Sequence, residues 1–433
     1  MRMTLMLPAL LAAIGYSAAP FTLAAEPQAL TLTQALQRTL QHDATLQAFP
    51  YQLRMAEAAQ LQANISPNPE LDVSLENVSG TGDSRGLAGA ELTLSLSRQI
   101  ELGDKRQRRV ELAQHQSQLQ RDNYELARLE ALANTTGQYL QLLRLQNLQQ
   151  WASDKISREQ AVLATAERRS QAGNLPDADI SRIKLRLIRS EIELTDIKQA
   201  IESQRYLLAA GWNSAPDFVA VTGDLTTLPP VPALASLQQQ LQQSSALQRF
   251  ITLQRVAQSQ LRLTEANSKA DIRLSAGLRR NEANNDNALV FGFSMPLTLS
   301  DPLAGQRQAL VAEQELLATQ QQQSSSALSL LVQQQWRALE QLRATVQVIQ
   351  SRLLPEALQL HTLSLQGYQQ GQIDLLSLLS AGEELALAQR DVIESQSRFH
   401  LTLLELERLT GQPITLNTAT PVVVLEHRYE QNL

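Results

Sequence analysis

The chain is 433 residues long, carries a formal net charge of −6, contains no cysteine and is only 4% aromatic. Without thiols it can form no disulfide, thiolate nucleophile, iron–sulfur cluster or cysteine-ligated zinc site, and its acidic balance offers no basic footprint for nucleic acid. A composition rich in Leu, Ala and Gln suits long, regular helices better than two or three compact cores.

Residues 1–24 read as an export signal: Arg2 gives a positive start, Leu5 to Ala19 an apolar run, and Thr22 with Ala24 a small-x-small cleavage site. The run is short for a spanning helix and is broken by Pro8 and Gly15. No later stretch is apolar for long enough to cross a membrane as a helix, and no cysteine is present for acylation. The exported chain is therefore expected to be neither helix-anchored nor lipidated.

The first structural repeat spans 25–215. Apolar residues recur at helical spacing from Leu30 to Ile65, and the SPNP run at Ser66 to Pro69 ends that pattern. Within 70–100, Leu71, Val73 and Leu75 alternate with Asp72, Ser74 and Glu76, and Leu92, Leu94 and Leu96 with Thr93, Ser95 and Ser97. These are two strands joined by a polar, glycine-containing loop. From Asp104 to Ala172 there is no proline and one glycine, Gly137, which predicts a single helix of roughly 69 residues and about 100 Å. It stops at QAGNLPDAD, where Gly173 suits a left-handed cap, and a return helix runs from Pro176 to Ala210.

A Pro-rich linker, 216–232, leads into a second repeat, 233–412, built in the same order. A helical stretch over 233–268 precedes a hairpin at 270–299. There Ile272 and Leu274 alternate with Asp271, Arg273 and Ser275, and Leu289, Phe291 and Phe293 with smaller residues. Another long helix then passes through QQQQSSS at Gln320 to Ser326, turns at Gly371, and returns to Gly411; a tail occupies 413–433. Gly173 and Gly371 are 198 residues apart and Gly211 and Gly411 are 200 apart, which makes the chain internally duplicated. In each half, two short helices stacked end to end match one long helix. The expected shape is a cylinder wall with hairpins projecting from one end.

Four strands with one apolar face cannot remain as a free sheet, because both edges and the face would aggregate. A closed transmembrane barrel shared between chains resolves this: at least two chains are needed, and three give twelve strands. Leu71, Val73, Leu75, Leu92, Leu94, Leu96, Ile272, Leu274, Leu289, Phe291 and Phe293 are then expected to face lipid. Asp72, Ser74, Glu76, Thr93, Ser95, Asp271, Arg273 and Ser275 are expected to line the lumen. The fold class is thus mainly α with a β-barrel part. Hairpins packed on a soluble core are the competing arrangement, but they leave helices of about 100 Å with nothing of matching size to pack on.

No GxSxG, P-loop, HExxH or EF-hand pattern occurs, and the five histidines are scattered without ligand spacing, so no catalytic, cofactor or metal site is expected. Adjacent Glu383 and Glu384 point in different directions on a helix and read as a solvated face.

PNPELDVSLEN, LSLSRQIELGDKRQRR, the duplicated helix–hairpin–helix order and the paired turns at Gly173 and Gly371 together resemble the TolC-like outer-membrane efflux proteins. PNPEL with the IELGDKR segment is similar to the outer-membrane component of heavy-metal cation exporters driven by resistance–nodulation–division pumps. The resemblance covers the whole mature chain and implies a homotrimer in outer-membrane lipid, a twelve-stranded barrel and a periplasmic helical tunnel. It further implies an inner-membrane pump and a periplasmic adaptor that docks on the helix tips, here Gly173, Asn174, Gly371 and Gln372. Relatives place acidic residues near the periplasmic mouth, which on this chain carries over to Asp179 and Asp374, with Arg182 available to tether an acid of a neighbouring helix. Rings of these acids would favour cations; equally, they would complement helix N-termini. A periplasmic coiled-coil adaptor is the main alternative, though it has no use for two amphipathic hairpins. A drug or protein export duct of the same fold is a further one.

Overall fold

The computed structural model describes residues 29–171, 176–297 and 299–411; the expected signal, the tail from 413 onward, and Gly173 and Asn174 lie outside the described residues. In chain order the elements are α1 (Leu32–His42), α2 (Ala44–Ala63), β1 (Glu70–Glu76), β2 (Glu91–Ile100), α3 (Lys105–Gln171) and α4 (Asp177–Ala210). The second repeat supplies α5 (Leu234–Gln242), α6 (Ser245–Asn267), β3 (Ile272–Asn281), β4 (Asp286–Ser294), α7 (Ala304–Val348), α8 (Leu354–Gln369) and α9 (Leu375–Thr410).

The 67 residues of α3 form one helix, about 100 Å long at 1.5 Å per residue. Its packing partners are α1, α2 and α4 on one side and α6 and α9 on the other; α7 lies against α6 and α9, and α8 against α9. The wall therefore has four columns: α2 with α4, then α3, then α6 with α9, then α7 with α8. The glutamine- and serine-rich run at Gln320 to Ser326 is helical, within α7.

Three long helical patterns are interrupted where the periodicity predicts continuity. The first breaks at Asp43, whose extended backbone (ψ 127°) ends α1 while its carboxylate accepts from the Leu46 N–H at 2.9 Å and caps α2. The second breaks between α5 and α6 at Gln243 and Ser244. The third is a π-helical turn, Ile349–Leu353, inserted just before Pro355 near the start of α8. Proline has no N–H for the helical ladder and crowds the preceding turn, and the wider turn accommodates it.

The linker is a strap across both repeats. Leu30 and Val221 form a parallel bridge, with the Leu30 N–H donating to Ala220 O at 2.9 Å and the Thr222 N–H to Leu30 O at 3.0 Å. The buried Tyr139 of α3 places its hydroxyl between the Leu30 carbonyl, at 2.9 Å, and that of Thr222. Further along, His400 of α9 meets Leu225 O at 3.1 Å, and the Trp336 indole N–H of α7 donates to Pro232 O at 2.9 Å. Burial among these helices keeps the His400 pKa below its ordinary value, so the ring is neutral near pH 7. Tyr139→Phe removes the single hydroxyl proton that the two strap carbonyls share, leaving Leu30 O with only the Thr222 N–H. It is expected to lower stability by about 1–3 kcal/mol, read out as faster proteolysis within 216–232 than in the unsubstituted protein.

Candidate functional site

The four strands form one antiparallel sheet in the order β1-β2-β3-β4. Its register puts Leu71 opposite Leu96, Val73 opposite Leu94 and Leu75 opposite Leu92; Leu94 in turn faces Leu278, which faces Leu289. Leu274 pairs with Phe293 and Ala276 with Phe291 on that same face. The opposite face carries Asp72, Ser74, Glu76, Thr93, Ser95, Arg273 and Ser275.

In β2 and β3 exposure is inverted relative to a water-soluble sheet, while the edge strand β1 is exposed on both faces. Phe291 is 78% exposed and Leu289 70%, whereas Thr93 is 7% exposed and Ser97 only 3%. The polar face is also the concave one. A Cβ on Gly277 would lie 2.5 Å from the Leu94 carbonyl oxygen and 2.7 Å from the Ser95 Cβ, and one on Gly292 would strike the Ser275 hydroxyl. Glycine at these two inward positions lets the strands close up on the inside of the curve.

The inward side chains are linked to one another. Arg279 donates to Thr93 Oγ1 at 3.0 Å and lies 3.4 Å from Glu91, Asn281 donates to Glu91 at 2.9 Å, the Ser97 hydroxyl donates to Asp72 at 3.2 Å, and Arg273 pairs with Glu70. Within the strands this face holds five carboxylates (Glu70, Asp72, Glu76, Glu91 and Asp286) against the guanidinium groups of Arg273 and Arg279.

Asp271, expected on the lumen, is engaged elsewhere. It stands one residue before β3 and serves the junction between sheet and helices rather than an open lumen. Its carboxylate accepts from Lys105 Nζ at 2.7 Å, Gln99 Nε2 at 2.9 Å and the Leu102 N–H at 3.0 Å. Beside it, Gly103 (φ +80°) turns the chain from β2 into α3, and its missing Cβ makes room for the Lys269 stem. Arg109 pairs with Glu101 and donates to Ile65 O at 3.1 Å and Ala63 O at 3.3 Å, tying α2, β2 and α3 together. The IELGDKRQRR segment thus acts as a joint between sheet and wall. Its basic residues hinted at this, but their partners lie up to 166 residues away.

At the far end of the wall, Val162, Ala166, Ile183, Tyr368, Leu375 and Leu378 form a small apolar core. Gly371 has φ +76°, and the next residue's N–H donates to Gly367 O at 2.8 Å, giving the tight reversal that precedes α9. The Arg169 guanidinium stacks 4.6 Å from the Tyr368 ring centroid and donates to Tyr368 O at 2.7 Å, bracing this turn from α3.

The charged tip residues have partners within the chain. Asp374 is the N-cap of α9, accepting from the Ser377 N–H at 2.8 Å, and hydrogen bonding with the Ser377 side chain first and its N–H second holds its pKa below the ordinary carboxylate value. Arg182 donates to Asp179 on its own helix at 2.8 Å, so the tether expected to a neighbouring helix is, within the chain, an (i, i+3) pair. Glu383 departs from the expected solvated face: it pairs with Arg186 of α4, which also reaches Glu159 of α3 at 2.9 Å. Among the described residues no three His, Asp or Glu side chains gather as a possible metal site, and no helix is long and apolar enough to cross a membrane.

A curved sheet, apolar outside and polar inside, standing on helices of about 100 Å, defines an outer-membrane channel with a periplasmic tunnel. The family model for outer membrane efflux proteins matches residues 35–213, the bulk of the first repeat. A cobalt-zinc-cadmium resistance protein, CzcC of Cupriavidus metallidurans, is 27% identical over 401 residues, which is 88% of this chain and 90% of the relative. Among solved structures, the outer membrane protein VceC of Vibrio cholerae superposes with a TM-score of 0.73 at 20% identity, covering 89% of this chain and 97% of that one. CusC, described in terms of transmembrane channel formation, superposes with a TM-score of 0.74 at 13% identity over 88% and 92% of the two chains. The match over the first repeat and the fold shared over most of the chain mark an outer-membrane efflux channel of the tripartite kind.

Proposed function

We propose that three copies of the chain close head to tail into a twelve-stranded barrel and tunnel that passes heavy-metal cations. An inner-membrane pump supplies them through a periplasmic adaptor seated on the helix tips at Gly173, Asn174, Gly371 and Gln372. The carrying observation is the inverted, concave sheet, whose edges β1 and β4 differ. The outer columns differ in the same sense. Leu185, Ile188 and Ile192 are exposed on α4, and Leu358, Leu360 and Leu363 on α8. Unlike edges associate heterologously, and such contacts close only as rings. Two copies would give eight strands, a barrel its own side chains fill; three leave an aqueous lumen.

The acidic excess on the inward face supports cation passage, and the name of the Cupriavidus relative supports cobalt, zinc and cadmium as the class. In this reading Asp72, Ser74, Glu76, Thr93, Ser95, Arg273 and Ser275 border the lumen, and the cation is cargo, attracted by charge without being ligated. Reversal potentials in planar bilayers under a salt gradient test this. The unsubstituted protein is expected to prefer cations, and Asp72→Asn with Glu76→Gln to weaken that preference more than Asp179→Ala with Asp374→Ala does. Anion preference, or a larger effect at the tips, would overturn the assignment of selectivity to the barrel.

A further inference from the structure

We propose that Arg98 binds the phosphate of a phospholipid in the periplasmic leaflet, and that this contact fixes how deep the barrel sits. The proposal rests on the channel reading, because it requires the outward face of the sheet to meet lipid.

Of all outward-facing strand positions, three are polar: Arg280 and its cross-strand partner Asn287 at the hairpin end, and Arg98 at the end that joins the helices. The two arginines are treated differently by the protein. Arg280 is answered within its own hairpin, donating to Glu282 at 2.8 Å and to the Asn285 side chain. The Arg98 side chain has no hydrogen bond, ion pair or ring contact with any described residue, is exposed, and is surrounded on its face by Leu96 and Ile100 along the strand and Leu274 across from it. In water such a side chain would be ordinary. On a lipid-facing surface it needs an anion, and its length lets it reach along the apolar surface to the headgroup layer.

The location selects the leaflet. Arg98 lies two residues before β2 ends at Ile100, and α3 begins at Lys105, so its end of the strand is the periplasmic one. The chemistry selects phosphate, which the planar guanidinium fork can engage through two parallel hydrogen bonds. A further observation agrees. Membrane barrels are commonly held at their interfaces by girdles of Trp and Tyr, yet among the described residues every Trp and Tyr lies outside the strands. On the outward face of this sheet, arginine is what remains to register the headgroup level.

The experiment titrates phosphatidylglycerol into the delipidated, detergent-solubilised oligomer and counts bound lipid by native mass spectrometry. Because the chain has no cysteine, Ile100→Cys gives a single dye site whose depth is read by brominated phospholipids in phosphatidylethanolamine–phosphatidylglycerol vesicles. Arg98→Leu is expected to weaken phosphatidylglycerol binding about tenfold or more, the loss of a charge-assisted pair, and to shift the depth of the label. Arg98→Lys should keep part of the binding, and Arg280→Gln should leave it unchanged. Arg98→Leu removes a charge from the lipid face and so is not expected to impair insertion. Equal lipid binding and equal depth in Arg98→Leu and the unsubstituted protein would overturn the proposal. Failure of the unsubstituted protein to enter vesicles would instead overturn the channel reading beneath it.

Discussion

Leu94→Arg is expected to abolish the membrane-inserted oligomer. Leu94 lies mid-strand on the outward face, between Val73 and Leu278. A guanidinium near the midplane of a barrel costs about 2–4 kcal/mol, or roughly 6–12 kcal/mol when three copies carry it, which is comparable to the whole stability of an ordinary domain. Phe291→Arg, at the most exposed of the strand aromatics, should behave alike. The appropriate control is Ser74→Arg, exposed on the inward face of an edge strand. Thr93, although inward, is already under the Arg279 guanidinium, and a second cation there would be repelled. Outer-membrane fractions run unheated on gels decide the matter. Equal oligomer yields for Leu94→Arg and Ser74→Arg would mean that the two faces have been assigned the wrong way round.

Gly277→Val is expected to prevent closure of the sheet, for a reason of space rather than charge. The added Cβ would meet backbone, the Leu94 carbonyl oxygen at 2.5 Å, and backbone on a concave surface cannot move away without opening β2 from β3. Overpacking of this kind costs about 1–3 kcal/mol per site and more where the neighbour is rigid. Three copies would multiply it. Gly305→Ala, in α7 with open space around it, should leave the oligomer intact or slightly strengthen it. Normal assembly of Gly277→Val would show that the strands in the membrane are less tightly curved than the structure describes.

Much of this arrangement was legible in the sequence because it rests on local periodicity. The alternation around Leu94 and Leu274 specifies which face is apolar, and the absence of proline between Asp104 and Ala172 specifies α3. What periodicity cannot carry is pairing across long separations. Asp271 fits the alternation of a strand, yet its role is decided by Lys105 and Gln99. The linker reads as a spacer because its contacts with Tyr139, Trp336 and His400 are made through backbone carbonyls, which leave no pattern in side chains. The break at Asp43 had a local signal, a capping aspartate, but the apolar spacing on either side of it continues and masks the interruption. Arg98 was also visible as the first charged residue on the apolar alternation of β2, and Pro355 as the only proline within its column.

The matched columns carry a consequence of their own. The 67 residues of α3 are matched by the 66 that run from Ala304 through the π turn to Gln369, on the far side of the α6 and α9 column. Both columns begin at the sheet and end at the tip core where Val162 meets Tyr368. Reach across the periplasm is therefore counted in residues. A lineage that gained or lost two turns in one column alone, a displacement of about 10.8 Å, would shear the tips out of level. Change in the height of such a channel must come as paired insertions or deletions in the two halves, and the repeated order of elements also constrains how the chain can be resized.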